Sequence, residues 1–173
     1  MNIKLPSKLL TNLTQDEIYQ QWQEVHPESY LSHFFCQLDN NFQLNTDWEL
    51  GFFSNDKITV FVAHQNGFEI KPADDIFKKE QAVVEKLNLD LVTVNFEQAL
   101  AVFKENLPVH FPKEIINSGF VILQTYQKQT VWNFTFITKT LKFINLKINS
   151  ESGEIVSHDT VNLVQQGTPF QQN

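Results

Sequence analysis

The chain has 173 residues and a formal net charge of −7 at pH 7, and its 13 basic residues are all lysine. Nucleic-acid recognition and binding to anionic membranes both depend on dense arginine and lysine, so this composition argues against both kinds of partner. The single cysteine, Cys36, excludes an intrachain disulfide. No stretch approaches the roughly 18 apolar residues of a transmembrane helix. With 16 phenylalanines and 3 tryptophans, the chain can bury an aromatic core, as one domain or as two small ones.

The N-terminal region contains a helix start signal. Residues 1–15 include lysines but lack the apolar stretch of a secretory signal peptide, so we expect a cytoplasmic protein, with a secreted mature form left open. Thr14-Gln15-Asp16-Glu17 has the pattern of a capping box. It predicts a helix from there to about His26, because Pro27 ends it.

The remainder of the first half predicts mainly strands. Tyr30–Leu38 is an apolar run that fits either a helix or a strand, and the sequence leaves the choice open. Alternation between polar turn residues predicts strands at Trp48–Phe53, Lys57–His64 and Phe68–Lys71. Charged residues on one side of Asp74–Leu87 predict a second helix there.

A third helix opens the second half. Asn95 is a suitable N-cap and Gln98 can reach back to it, which predicts a helix over Asn95–Asn106. Pro108 and Pro112 are expected to prevent its continuation. An apolar stripe runs along this helix: Phe96, Leu100 and Phe103.

The stretch that follows predicts a four-stranded meander. Its strands are expected at Phe120–Tyr126, Thr130–Thr138, Leu141–Ile148 and Glu154–Val164. The connections between them are too short for parallel crossovers, so neighbouring strands must run antiparallel. One apolar face of this sheet needs a cover, which the preceding helix can supply, and the fold class is therefore α+β.

The two halves repeat one pattern, in which a helix precedes strands that carry a tryptophan, a glycine turn and a Glu-Ile pair. Trp48 and Glu69-Ile70 in the first half correspond to Trp132 and Glu154-Ile155 in the second. The repeat predicts a tandem of two units of a helix on an antiparallel meander, at residues 1–88 and 89–173.

After the Trp132 strand, the turn Ile148-Asn149-Ser150-Glu151-Ser152-Gly153-Glu154-Ile155 resembles that of a PepSY domain. Asn149 and Ser152 stand where that family usually has Asp and Thr. The match covers roughly 95–164, and the first half resembles the family only through Trp48 and Asn66–Ile70. The resemblance implies PepSY or cystatin-like units, without enzymatic activity, that bind or restrain peptidases or other partners.

Residues able to carry chemistry are scattered. His33 and Cys36 have a spacing that a metal site could use, but a closed zinc site needs four ligands and the sequence lacks a second pair. Asp74-Asp75 and His158-Asp159 follow the Glu-Ile pairs and are better explained as strand ends than as acid–base groups. The sequence around Cys36 has no signature of a thiol nucleophile that one of the histidines could activate. We therefore expect no enzyme, no cofactor and no metal site.

The predicted function is a non-catalytic binding module that acts on a protein partner, with inhibitors and immunity-type factors as fitting roles. The alternative is a small apolar ligand held in a cavity between helix and sheet.

The two indoles are expected to anchor sheet cores first and to serve as contact platforms second. Candidate contact residues are Trp48, Trp132, Phe134 and Tyr126. Phe120–Tyr126 and Glu154–Val164 are candidate sheet edges for adding a partner strand. The oligomeric state stays open.

Overall fold

The computed structural model describes residues 5–75 and 83–163, in which three α-helices and eight strands form an α+β fold. The helices are α1 (Leu5–Thr14), α2 (Glu17–Val25) and α3 (Phe96–His110), with a 3₁₀ turn at Leu89–Leu91. The strands are β1 (Tyr30–Leu38), β2 (Glu49–Ser54), β3 (Lys57–His64), β4 (Gly67–Asp75), β5 (Ile116–Tyr126), β6 (Gln129–Thr138), β7 (Lys142–Asn149) and β8 (Ile155–Asn162). None of the helices in these ranges has the length and hydropathy needed to cross a bilayer.

All eight strands belong to one antiparallel sheet, in the order β4-β3-β2-β1-β5-β6-β7-β8. Each half of the chain contributes four adjacent strands, and the halves join where β1 pairs with β5. The predicted second-half meander is confirmed in order and direction. Tyr30–Leu38, undecided from the sequence, is a strand.

The N-cap of the second helix lies two residues after the predicted position, Thr14. Thr14 is the last residue of α1, a helix that the sequence analysis did not anticipate, and its hydroxyl donates to the Thr11 carbonyl. The N-cap of α2 is Asp16, whose carboxylate accepts the backbone N–H of Ile18 at 3.0 Å. The motif therefore correctly indicates the start of a helix, but Thr14, its first residue, belongs to the preceding helix α1.

The helix predicted over Asp74–Leu87 is wrong where it can be compared. Strand β4 continues to Asp75, and residues 83–88 are not helical; the positions between lie outside the described residues. The Leu87 N–H donates to the Leu31 carbonyl at 2.9 Å, and the Tyr30 hydroxyl donates to the Val84 carbonyl at 2.7 Å. These bonds to β1 replace the local bonds of a helix.

The predicted N-terminus of α3 is confirmed and its predicted end is not. Asn95 and Gln98 form the reciprocal capping box. The helix passes through Pro108 to His110 and ends where the Phe111 N–H donates to the Leu107 carbonyl. Pro108 removes only one hydrogen bond near the last turn, and the helix tolerates that loss.

One face of the sheet, the covered face, is packed under the helices. It includes Phe34, Leu123, Trp132, Phe134 and Phe136, which all have zero exposed area. The ring of Phe103 on α3 stacks on Phe134 and Phe136, at centroid distances of 5.0 and 5.2 Å. Helix α2 packs Trp22 edge-on against Phe61 on the same face. The helical lid expected from the amphipathic stripe is thus present, and one hydrophobic cluster extends through both halves.

Side chains of alternate strand residues point to the opposite face, called here the open face. The register places His33 beside Gln124, Phe35 beside Ile122, and Ile137 beside Phe143 on this face. The helices described above all pack on the covered face. Val62 and Val131 on this face are buried. Other apolar side chains of the open face are half-buried and stay in reach of solvent: Phe35, Phe53, Ile58, Phe120, Ile122, Ile137 and Phe143.

Candidate functional site

Three of the four predicted contact residues lie in the covered core. Trp132 and Phe134 have no exposed area, and Trp48 retains 7%. The two indoles meet edge to face with centroids 6.4 Å apart, and the Trp132 Nε1–H donates to the Val94 carbonyl at 2.9 Å. Both tryptophans therefore belong to one shared core. Their role as partner contacts stays a prediction that this burial does not favour.

Tyr126, the fourth predicted residue, lies at the end of β5 with its side chain on the open face. Its ring is half-buried, and the Lys147 ammonium lies 4.9 Å from the ring centroid. Tyr126 also lines a cavity described below. It alone of the four predicted residues is in a position to touch a partner.

The predicted pairs of reactive residues do not converge. His33 and Cys36 are three positions apart on β1 and so point to opposite faces. The buried Cys36 thiol donates to the Thr46 carbonyl at 3.1 Å, and burial raises its pKa despite that bond. Such a thiol has little of the thiolate that a nucleophile or a metal ligand requires. The described ranges contain no group of three His, Cys, Asp or Glu residues that could hold a metal ion.

The other candidate pairs sit at strand ends and edges. Asp74 and Asp75 are the last residues of β4, and their side chains lie outside what the structure describes. His158 on β8 stacks on His110 of α3, with ring centroids 4.1 Å apart. Asp159 points to the opposite face of β8 and does not join that pair.

Of the two predicted edges, one is wrong. Phe120–Tyr126 lies inside the sheet, because β5 pairs with β1 on one side and with β6 on the other. Strand β8 is at the end of the strand order, as is β4. The available surface of the sheet is therefore its open face and these two outer strands.

An aromatic pair forms the centre of the open face. The rings of Phe35 on β1 and Phe120 on β5 lie 5.6 Å apart, at the junction of the two halves. A cavity of about 440 Å³ adjoins this centre on the side of His33 and Ile122. A second cavity, of about 190 Å³, is lined by both rings and by Ile137. Aromatic side chains beside pockets are common anchor points of protein interfaces.

Charged residues border the apolar centre on the first-half side. Lys71 pairs with Glu49 at 2.5 Å. The His64 ring lies between Asp47 and Glu69, at 2.7 and 2.9 Å. The bonds to Glu69 and Asp47 raise the pKa of His64.

A polar network borders the centre on the second-half side. The Asn145 amide donates to Asn133 and to Thr135, at 2.5 and 2.8 Å, and its oxygen accepts from Lys147 at 2.6 Å. The open face thus has an apolar centre and a polar rim, the general anatomy of a binding surface.

His33 occupies an unusual position that the sequence analysis missed. The ring lies over Gly51, so closely that a Cβ on that residue would fall 2.1 Å from the histidine Cε1. Its Nδ1 is 2.8 Å from the Ser32 hydroxyl, which donates to the Gly51 carbonyl at 2.9 Å. Burial lowers the pKa of His33, and the nearby Glu49 carboxylate opposes that shift. In the sequence, Gly51 beside Phe52 and Phe53 was the one signal that could have pointed to this position of His33.

Comparison with known proteins identifies a fold and no family. No protein-family model matches the chain, and no curated protein matches it. A crystal structure described as that of a "putative lipoprotein" from Clostridium difficile 630 is similar, with a TM-score of 0.52 and 11% sequence identity. The match covers 83% of this chain and 90% of that one. At this identity the likeness concerns the fold alone.

Proposed function

We propose that this chain is a non-catalytic binding module of two PepSY-like units that acts on a protein partner, in the manner of an inhibitor or immunity-type factor. The partner docks on the open face. The observation that carries the proposal is the Phe35–Phe120 pair, half-buried at the centre of a sheet face on which none of the described helices packs. Aromatic anchors at the centre of a patch with a polar rim dominate the energy of protein interfaces.

The order of elements supports an internal duplication. In each half, helical structure precedes four antiparallel strands, and the two sets of strands run outwards from the β1–β5 junction. Trp48 precedes β2 and Trp132 lies in β6, the second strand of its half, and both indoles are in the covered core. A docking face at the junction would combine residues from both units, so neither unit alone would present it.

The acidic chain favours a basic partner. A net charge of −7 accelerates encounter with a positively charged protein, while the apolar centre holds the complex together. The alternative function predicted a small-ligand cavity between helix and sheet. That location has less support, because Trp132 is fully buried there. A cavity on the open face is better suited to it.

Affinity capture from a lysate of the native host tests the proposal. We expect the wild-type chain to retain a partner that the variant Phe120→Glu loses, because a carboxylate at the centre would be desolvated on docking. Val109→Glu is the matched control, since Val109 is 66% exposed on α3, away from the open face. Circular dichroism establishes that both variants fold. Equal retention by the wild type and Phe120→Glu, or equal loss from both variants, would contradict docking on this face.

A further inference from the structure

Three features of the backbone cooperate to place the imidazole of His33. A bulge between Leu31 and His33 shifts the register of β1 against β2, and Ser32 is the extra residue. Gly51 on β2 leaves the space that the ring fills, and another residue there would collide with it. Bulges and strand glycines often redirect a side chain or admit a close approach at functional sites. The position of this ring is therefore built into two strands.

The hydrogen bonds around Ser32 favour one tautomer of His33. The Ser32 hydroxyl donates its single proton to the Gly51 carbonyl, which can only accept. The same hydroxyl oxygen then accepts from Nδ1–H of His33. In the neutral ring, Nε2 consequently carries a lone pair and no proton, and no described residue donates to it. This nitrogen is an available acceptor.

The ring borders the cavity of about 440 Å³, whose volume is typical of a small-ligand pocket. Ile58, Val84 and Ile122 supply apolar walls. The wall at Val84 is held in place, because its carbonyl accepts the Tyr30 hydroxyl, and the Lys86 carbonyl accepts the Thr125 hydroxyl at 2.9 Å. Most of the remaining lining is polar, and comes from Ser32, Glu85, Gln124, Thr125 and Tyr126. A ligand there meets apolar surface on one part and hydrogen-bonding side chains on another.

We infer that this cavity binds a neutral phenol ring whose hydroxyl donates to Nε2 of His33. A carboxylate offers no proton to Nε2 and would be repelled by Glu85, which lines the same cavity. An ammonium group would lose hydration against the apolar walls. A phenol stays neutral near pH 7 and presents one O–H donor on an apolar body. The ring can belong to a free phenol or to a tyrosine of the protein partner. In the second case the inference rests on the function proposed above and identifies the anchor of that partner.

Nitrogen NMR of the histidine ring tests this directly. We expect p-cresol to move the Nε2 resonance of His33 to lower frequency, as accepting a hydrogen bond does, in a saturable titration. Toluene has the same shape without the hydroxyl, and should bind about fivefold more weakly without moving that resonance, because one neutral hydrogen bond is lost. N-acetyl-tyrosinamide distinguishes the sources. Saturable binding of this amide assigns the cavity to a tyrosine side chain, and binding of p-cresol alone assigns it to a free phenol.

Two isoleucines of the open face provide matched variants. Ile122→Trp fills the His33 cavity and should abolish p-cresol binding, whereas Ile137→Trp fills the other cavity and should leave it unchanged. Amide spectra show that each variant is folded. His33→Phe keeps a ring and removes the acceptor, so p-cresol should lose its advantage over toluene.

Several results would overturn the inference: no saturable p-cresol shift in folded wild-type protein, equal affinity for toluene, or equal loss in both tryptophan variants. These outcomes are separable from failure of the proposed function. Partner capture that depends on Phe120 can persist without any phenol binding, and phenol binding can persist when no partner is captured.

Discussion

The two faces of the sheet carry similar residues that differ in burial. Phe34 and Phe35 are neighbours on β1, yet Phe34 has no exposed area and Phe35 stays half-buried. Phe34 lies under the helices and Phe35 faces Phe120 on the open face. Residue type therefore does not separate core from surface in this chain. The separation comes from which face the helices cover, and substitutions matched across the two faces can test it.

The largest expected difference is between these two neighbours. We expect Phe34→Ala to lower the free energy of unfolding by about 3–5 kcal/mol, because it leaves a cavity in a closed core. Phe35→Ala should cost less than about 1.5 kcal/mol, since its ring is already partly solvated. Guanidinium unfolding of both variants and the wild type measures the difference. Equal losses would mean that the open face is as tightly packed as the covered one.

The same neighbours explain how far the fold could be predicted. Strand β6 was recognisable because Trp132, Phe134 and Phe136 alternate with polar Asn133 and Thr135. On β1 the bulge at Ser32 puts Leu31 and Phe34 on the same face although they are three positions apart. The period of two was therefore hidden, and the strand stayed undecided.

The candidate site was missed for a related reason. Three of the four predicted contacts lie in the core: Trp48, Trp132 and Phe134. The Phe35–Phe120 pair belongs to strands on which apolar side chains point both ways. The helix expected over Asp74–Leu87 failed because bonds from distant Tyr30 and Leu31 hold its last residues. Such long-range contacts leave no local trace in a sequence.

Two strand glycines extend the comparison. A Cβ on Gly119 would lie 2.4 Å from the Thr135 carbonyl oxygen and from the Phe136 ring, in the closed core. The three atoms nearest to a Cβ on Gly51 all belong to the His33 ring, which borders a cavity. We expect Gly119→Ala to cost about 2–3 kcal/mol and Gly51→Ala about 1 kcal/mol, because only the histidine has room to move. Unfolding curves measure both values, and the reverse order would show that the His33 ring is fixed in place.

The cap of α3 should have a smaller effect on the covered face. Asn95→Ala removes the acceptor for the Gln98 N–H and should cost about 1 kcal/mol. Asn95→Asp is the matched control, because it keeps an acceptor at the N-cap and should stay near the wild type. Thermal unfolding of the three proteins is sufficient. A loss in Asn95→Asp as large as in Asn95→Ala would show that the amide group of Asn95, and not its oxygen, supports the helix.

The smallest effect is expected on the rim of the open face, where His64 lies between Glu69 and Asp47. Those carboxylates raise its pKa in the folded state. A raised folded pKa means that His64 adds stability below the unfolded value of about 6.5, and that the contribution is lost as pH rises through the folded value. The stability difference between wild type and His64→Gln should therefore be greatest in mildly acidic solution and vanish at alkaline pH. Asp47→Asn and Glu69→Gln should each lower the His64 pKa in an NMR titration. Since all three side chains are exposed, salt should weaken the effect, and a salt-independent pKa would contradict its electrostatic origin.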